Sequence, residues 1–184
     1  MPLVLALALV LCFQPQITLM VRVFNGVDDV TAESRVNIFK AGDRRNAVAE
    51  SRAKRVVETS VGEGMYDAQV IQERDGRVLN IRWAERLIVM PYPDEAGRHL
   101  EVINFQNGFG ALEVRGHDLA APDVAIFAAG SHDQEAGKRM GGTGYALFVV
   151  RAGRYDLRVQ HDGRTTWYPD VDVPADRTRL WIEP

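Results

Sequence analysis

The sequence predicts an all-β protein, built as two tandem antiparallel β-sandwiches from an internal duplication. Three observations carry this. Short apolar runs, several with period-2 alternation, recur along the chain between Gly, Pro, Asn and Asp clusters. Long helical patterns are absent. Two segments also repeat at nearly one spacing. Val36-Asn37-Ile38-Phe39-Lys40-Ala41-Gly42 returns as Val124-Ala125-Ile126-Phe127-Ala128-Ala129-Gly130, and Gly64-Met65-Tyr66-Asp67-Ala68-Gln69-Val70 returns as Gly153-Arg154-Tyr155-Asp156-Leu157-Arg158-Val159. The first valine precedes the tyrosine by 30 positions in one copy and by 31 in the other. Two motifs matching together with their separation indicate duplication of one small β unit. We place the N-terminal apolar segment at 1–16, the first sandwich at 17–108 and the second at 109–184.

Met1–Phe13 is an unbroken apolar run. As a helix it spans about 20 Å at 1.5 Å per residue, short of the roughly 30 Å of bilayer hydrocarbon. It reads as the core of an export signal rather than a membrane span, although no Lys or Arg precedes it. Cys12 ends a faint lipoprotein-like stretch in which Leu11 is too large for that role. No other cysteine follows, so disulfides, zinc–thiolate clusters and cysteine nucleophiles are excluded from the body of the chain.

Ile17–Phe24 is the first strand, ended by Gly26-Val27-Asp28-Asp29. Arg35–Ala41 alternates with period 2. Asp43–Arg55 shows no apolar stripe and is expected to be a loop with a short strand. Asp75-Gly76 marks a two-residue hairpin. That turn sets Val70 opposite Ile81 and Ala68 opposite Trp83, on one core face, and so makes Trp83 a packing residue. The return strand continues to Val89 and stops at Pro91-Tyr92-Pro93, and His99–Phe105 adds another strand. The second copy runs through Gly110–Arg115, Val124–Ala129, a glycine-rich loop at 137–144 and Tyr145–Val150. Asp162-Gly163 turns a second hairpin that sets Arg158 opposite Trp167 on the outer face, and a bulge near Pro169 would turn Val171 and Val173 inward. Arg179–Ile182 closes the chain.

The paired Val-x-Ile-Phe and Gly-x-Tyr-Asp segments resemble the transthyretin-like family of small sandwiches, which includes carboxypeptidase regulatory-like and PEGA-like domains within the wider immunoglobulin-like class. The resemblance implies a strand, a loop, and then a Gly-x-Tyr strand leading into a hairpin. It also implies a non-catalytic module of an exported or envelope protein, and it transfers no functional residue.

Composition narrows the function further. A net charge of −3 offers no single-sign field for nucleic acid. The basic stretch Arg44, Arg45, Arg52, Lys54 and Arg55 lacks interleaved aromatics. Only Lys40, Lys54 and Lys138 are lysines among the 22 basic residues, an arginine bias in keeping with genomic base composition. His99, His117, His132 and His161 have no metal-pair spacing, and Asp170, Asp172 and Asp176 match no EF-hand loop. No nucleophile elbow, zinc-protease motif or phosphate loop is present, and Gly141–Gly144 precedes a strand, not a helix N-terminus. Tyr66 and Tyr155 are expected at the core edge. Asp67 and Asp156 alternate outward as solvated carboxylates or loop caps.

The sequence therefore predicts a non-enzymatic exported module, with no metal or other cofactor, that meets a protein partner through edge strands and loops. One competing reading is a glycan-binding module using Trp167 and Trp181, with Arg158 stacked beside Trp167; Trp181 is exposed if Leu180 and Ile182 are buried. The other is a hydrolase with an unrecognised site.

Overall fold

The computed structural model describes residues 16–52, 57–91, 97–116, 123–142, 144–161 and 163–184. The apolar run with Cys12, and Lys54, Arg55, Tyr92, Pro93, His117, Thr143 and Asp162, lie outside the described residues. The described residues form fifteen strands and one 3₁₀ turn (Thr31–Glu33), joined by loops. The strands are β1 Gln16–Asn25, β2 Asp28–Asp29, β3 Ser34–Lys40, β4 Ala47–Arg52, β5 Val57–Gly62, β6 Gly64–Arg74, β7 Arg77–Val89 and β8 Arg98–Asn104. The remainder are β9 Phe109–Arg115, β10 Asp123–Ala128, β11 Met140–Gly142, β12 Tyr145–Arg151, β13 Gly153–His161, β14 Arg164–Val173 and β15 Thr178–Ile182.

They form four sheets. In the first, β5 and β2 share one edge of β1 and β8 takes the other. The second runs β4-β3-β6-β7, the third β11-β12-β9-β15, and the fourth β10-β13-β14. Pairing is antiparallel throughout, except that β8 runs parallel to β1 and β15 parallel to β9. The closing strand of each copy thus lies beside its opening strand.

Alternation in β1 explains the layering. Ile17, Leu19, Val21 and Val23 point into a core shared with Val36 and Ile38 of β3 and Ala68 and Val70 of β6. Met20 and Phe24 point the other way, into a second core with Phe109, Ala111, Tyr145, Leu147 and Val149. The opposite side of β9 and β12 carries Leu112, Val114, Ala146, Phe148 and Val150. These close a third core against Ile126, Leu157 and Val159. Four sheets are therefore stacked face to face, and the strands β8, β9 and β12 of the two central ones are buried on both sides. Each large apolar side chain buried between the central sheets stabilises their contact by roughly 1.5–3 kcal/mol.

One ion pair is buried in this middle layer. Glu113 accepts bonds from Arg115 Nε at 2.8 Å and Nη2 at 2.6 Å, and both residues are essentially inaccessible. Arg98 of β8 stands 3.8 Å from Glu113 and lies over the Tyr145 ring.

The described part of Asp43–Arg55 is a loop followed by the short strand β4, as the sequence suggests, and β4 pairs with β3. Its counterpart β11 pairs instead with β12, so the excursion between the duplicated segments joins opposite sheets in the two copies. In the second copy the chain before β11 folds down onto the core. A Cβ at Gly137 would lie 2.6 Å from Val150 Cγ1, a contact only glycine accommodates.

Candidate functional site

The duplicated motifs build one device twice. Val36, Ile38 and Lys40 face Val70, Ala68 and Tyr66, while Val124, Ile126 and Ala128 face Val159, Leu157 and Tyr155. Each tyrosine hydroxyl donates to the carbonyl four residues back, Tyr66 to Gly62 at 2.7 Å and Tyr155 to Arg151 at 2.6 Å. Each following aspartate is buried rather than solvated. Asp67 accepts the N–H of Gly42 at 3.0 Å and of Arg86 at 2.9 Å. Asp156 accepts those of Gly130 at 3.0 Å and Asp170 at 3.2 Å. Arg86 and Asp170 sit in β-bulges at φ 56° and 58°, the left-handed region, so the carboxylates pin equivalent strained corners. Burial alone would raise the Asp67 carboxyl. The two N–H donors and the charges of Arg44 and Arg86 outweigh it and hold that carboxyl below its ordinary value. Asp156 is held low by the N–H groups of Gly130 and Asp170, then by His132.

On the same outer faces each copy carries an aromatic cluster. Phe39 and Trp83 lie 5.3 Å apart with the Arg44 guanidinium over the indole at 4.5 Å. Phe127 and Trp167 lie 5.2 Å apart with the His132 ring stacked on the indole at 3.8 Å. Trp83 is therefore not a core residue. A bulge between Gln72 and Glu73 shifts the register, so Trp83 pairs with Gln69 and Ile81 with Ile71 on the outside.

The three sequence-predicted contact residues do not converge. Trp167 pairs with Arg158 on the outer face and is 36% exposed, but the Arg158 guanidinium lies over Phe127 at 5.4 Å. Val171 and Val173 turn inward past the bulge. Trp181 belongs to the opposite side of the sandwich. Parallel pairing sets it opposite Val114, so it packs against the core while Ile182 is exposed, the reverse of the exposure expected for it. Asp170, Asp172 and Asp176 also diverge, each toward a different arginine: Arg154, Arg179 and Arg82.

Trp181 closes the open side of the second sandwich, where its ring meets Tyr168 at 4.8 Å in an edge-to-face contact. Burial, then the Glu183 carboxylate that accepts its hydroxyl bond, pushes the Tyr168 phenol up. Arg179 adds a bond to the Asp172 carbonyl at 2.8 Å. In the first copy the equivalent positions are Ala84, opposite Ala68 as Tyr168 is opposite Leu157, and Glu101, opposite Val21 as Trp181 is opposite Val114. Where the second copy is plugged, the first is open. A groove of about 370 Å³ runs between β7 and β8, lined by Arg82–Ile88, by His99 and Glu101–Asn104, and by Asp176–Thr178 from the second copy.

The groove is the candidate site. Arg82 spans it, donating to the Asn104 carbonyl and to Asp176 at 2.7 Å. Thr178 Oγ1 accepts the Val102 N–H at 2.7 Å. Glu101, 9% exposed, holds the His99 ring at 2.9 Å. None of these residues is a candidate contact from sequence, where His99 and Asp176 are weighed only as metal ligands. The signal is the contrast of Tyr168 and Trp181 with Ala84 and Glu101, which emerges only once β8 and β15 are placed beside the opening strands. Among the described residues no group of three or more His, Cys, Asp or Glu could hold a metal ion, and no helix is long and apolar enough to cross a membrane.

No protein-family model matches the sequence, and no curated protein matches it. Among solved structures, the chain is similar to the tip fimbrial protein Mfa3 of Porphyromonas gingivalis, at 11% identity and TM-score 0.35, over 84% of this chain and 81% of that one. It is similar to a fimbrial protein of Bacteroides ovatus at 7% identity and TM-score 0.35, over 92% and 48% of the two chains. It is also similar to the TIE protein of Bacillus anthracis at 15% identity and TM-score 0.33, over 92% and 34%. The chain spans about half of the second of these and a third of the last.

Proposed function

We propose that this chain is a non-catalytic, exported interaction or assembly module of transthyretin-like descent, and that it holds a protein partner by accepting a strand on the free edge of β7. The observation that carries this is β7 itself. It is 13 residues long, ends its sheet, and leaves Ile81 58% and Ile88 52% exposed beside Val78 and Leu79. Long apolar edges are templates for pairing, and proteins normally guard them with charge, proline or bulges. β7 has bulges and charges of its own, but its equivalent β14 is guarded further, carrying Thr165 for Ile81, Pro169 for Glu85 and Asp172 for Ile88. A photo-crosslinking residue at Ile81, in the cells that make the protein, should give a discrete adduct that Asn80→Pro removes. The same probe at Thr165 should give none. Absence of an adduct from position 81 would overturn the reading.

One observation favours a glycan instead: the stacked Trp167 and His132 rings form an open aromatic surface on the fourth sheet. Trp181 takes no part in that surface. Retention on immobilised polysaccharide that Trp167→Ala abolishes would support this second reading.

A further inference from the structure

We propose that the groove between β7 and β8 selects an extended peptide bearing an acidic side chain, which Arg86 and Arg177 receive while the peptide backbone lies along β7. This rests on strand addition at β7 and names the chemistry of the partner.

Both walls of the groove are strand edges, and only one is open. On β8 the Val102 N–H already bonds Thr178 and the Asn104 carbonyl already accepts from Arg82. An incoming strand is therefore left with β7.

Charge bookkeeping then sets the side chain. Each carboxylate lining the groove has a partner: Asp176 pairs with Arg82, Glu85 with Arg44, and Glu101 with the His99 ring. The two remaining cations, Arg86 and Arg177, are exposed and have no ion pair among the described residues. Arg86 is also held at the bulge by its own N–H bond to Asp67, which keeps its side chain on a fixed backbone corner. Two exposed guanidinium groups without an ion pair among the described residues, beside a strand that ends its sheet, match a carboxylate, which arginine binds in paired hydrogen bonds. The second copy has neither half of this arrangement. Asp170 stands where Arg86 is, and the Tyr168–Trp181 contact fills the equivalent space.

The test uses two peptides, acetyl-Thr-Val-Glu-Val-Thr-amide and its lysine counterpart, titrated into the full chain and followed by amide chemical shifts. The glutamate peptide should move the β7 amides from Arg82 to Ile88 and bind about tenfold more tightly than the lysine one. Arg86→Gln with Arg177→Gln, both on the surface, should remove that preference and leave the spectrum elsewhere unchanged. Ala84→Tyr with Glu101→Trp, which transplants the plug, should weaken both peptides. Equal binding of the two peptides at β7, or a preference that survives the double Gln variant, would overturn the groove's role while leaving strand addition intact. No shift along β7 with either peptide would overturn both.

Discussion

In the first copy Ala84 and Glu101 stand across the open side of the sandwich; in the second Tyr168 and Trp181 meet there at 4.8 Å. Both halves share the Tyr–carbonyl bond, the buried aspartate and the left-handed bulge residue. What closes or guards an edge is not shared. The two halves have similar frames, and the first has an apolar edge strand with a groove behind it. The comparison teaches that the conserved-looking Tyr-Asp pair is architecture, while the informative positions are those where the copies disagree.

The strongest way to break the comparison is to separate the copies. Residues 16–108 alone would expose Met20, Phe24, Leu100 and Val102, all buried against the second copy. We expect that fragment to aggregate or to lack a cooperative transition, as judged by amide dispersion and denaturant unfolding. A soluble, cooperatively folding half would show that the frames are independent. Next in size is Glu113→Ala, which leaves Arg115 buried without this partner. The expected cost is about 3–5 kcal/mol, read from a denaturation midpoint. Reduction of the second copy's plug to the first copy's residues, Tyr168→Ala with Trp181→Glu, should cost about 2–4 kcal/mol, because both rings are only half-buried. A neutral result would mean that the plug matters for exclusion and not for stability.

The smallest effect tests what the copies share. Asp67→Ala strands the N–H groups of Gly42 and Arg86 and should cost about 2 kcal/mol. Asp67 and Asp156 both sit below their ordinary value of 3.8 in the folded chain. Their stabilisation is therefore complete above that value and is lost as pH falls from it through the lowered value. An acid unfolding curve should shift when either becomes Ala, and little should change between pH 5 and 7.

Much of the frame was legible because strand alternation and Asp-Gly turns are local signals. The Asp162-Gly163 register placed Trp167 opposite Arg158 without help from tertiary structure. The Asp75-Gly76 hairpin failed at Trp83, because one extra residue near Leu79 reverses the side chains from there to the second bulge at Arg86, and no local motif announces it. Trp181 failed for another reason. Its facing depends on parallel pairing with β9, a contact between strands far apart in sequence. The groove was hidden by the same distance. Ala84 and Glu101 become equivalent to Tyr168 and Trp181 only once β8 and β15 are both known to run beside the opening strands.

That parallel pairing has a mechanical consequence. Tension applied to the start of β1 and the end of β8 slides the two strands past each other, so every hydrogen bond between Thr18–Phe24 and Arg98–Asn104 resists at once. The same holds between β9 and β15. A chain pulled from its ends would be stressed in shear twice in series, whereas an antiparallel terminal pair would open one bond at a time.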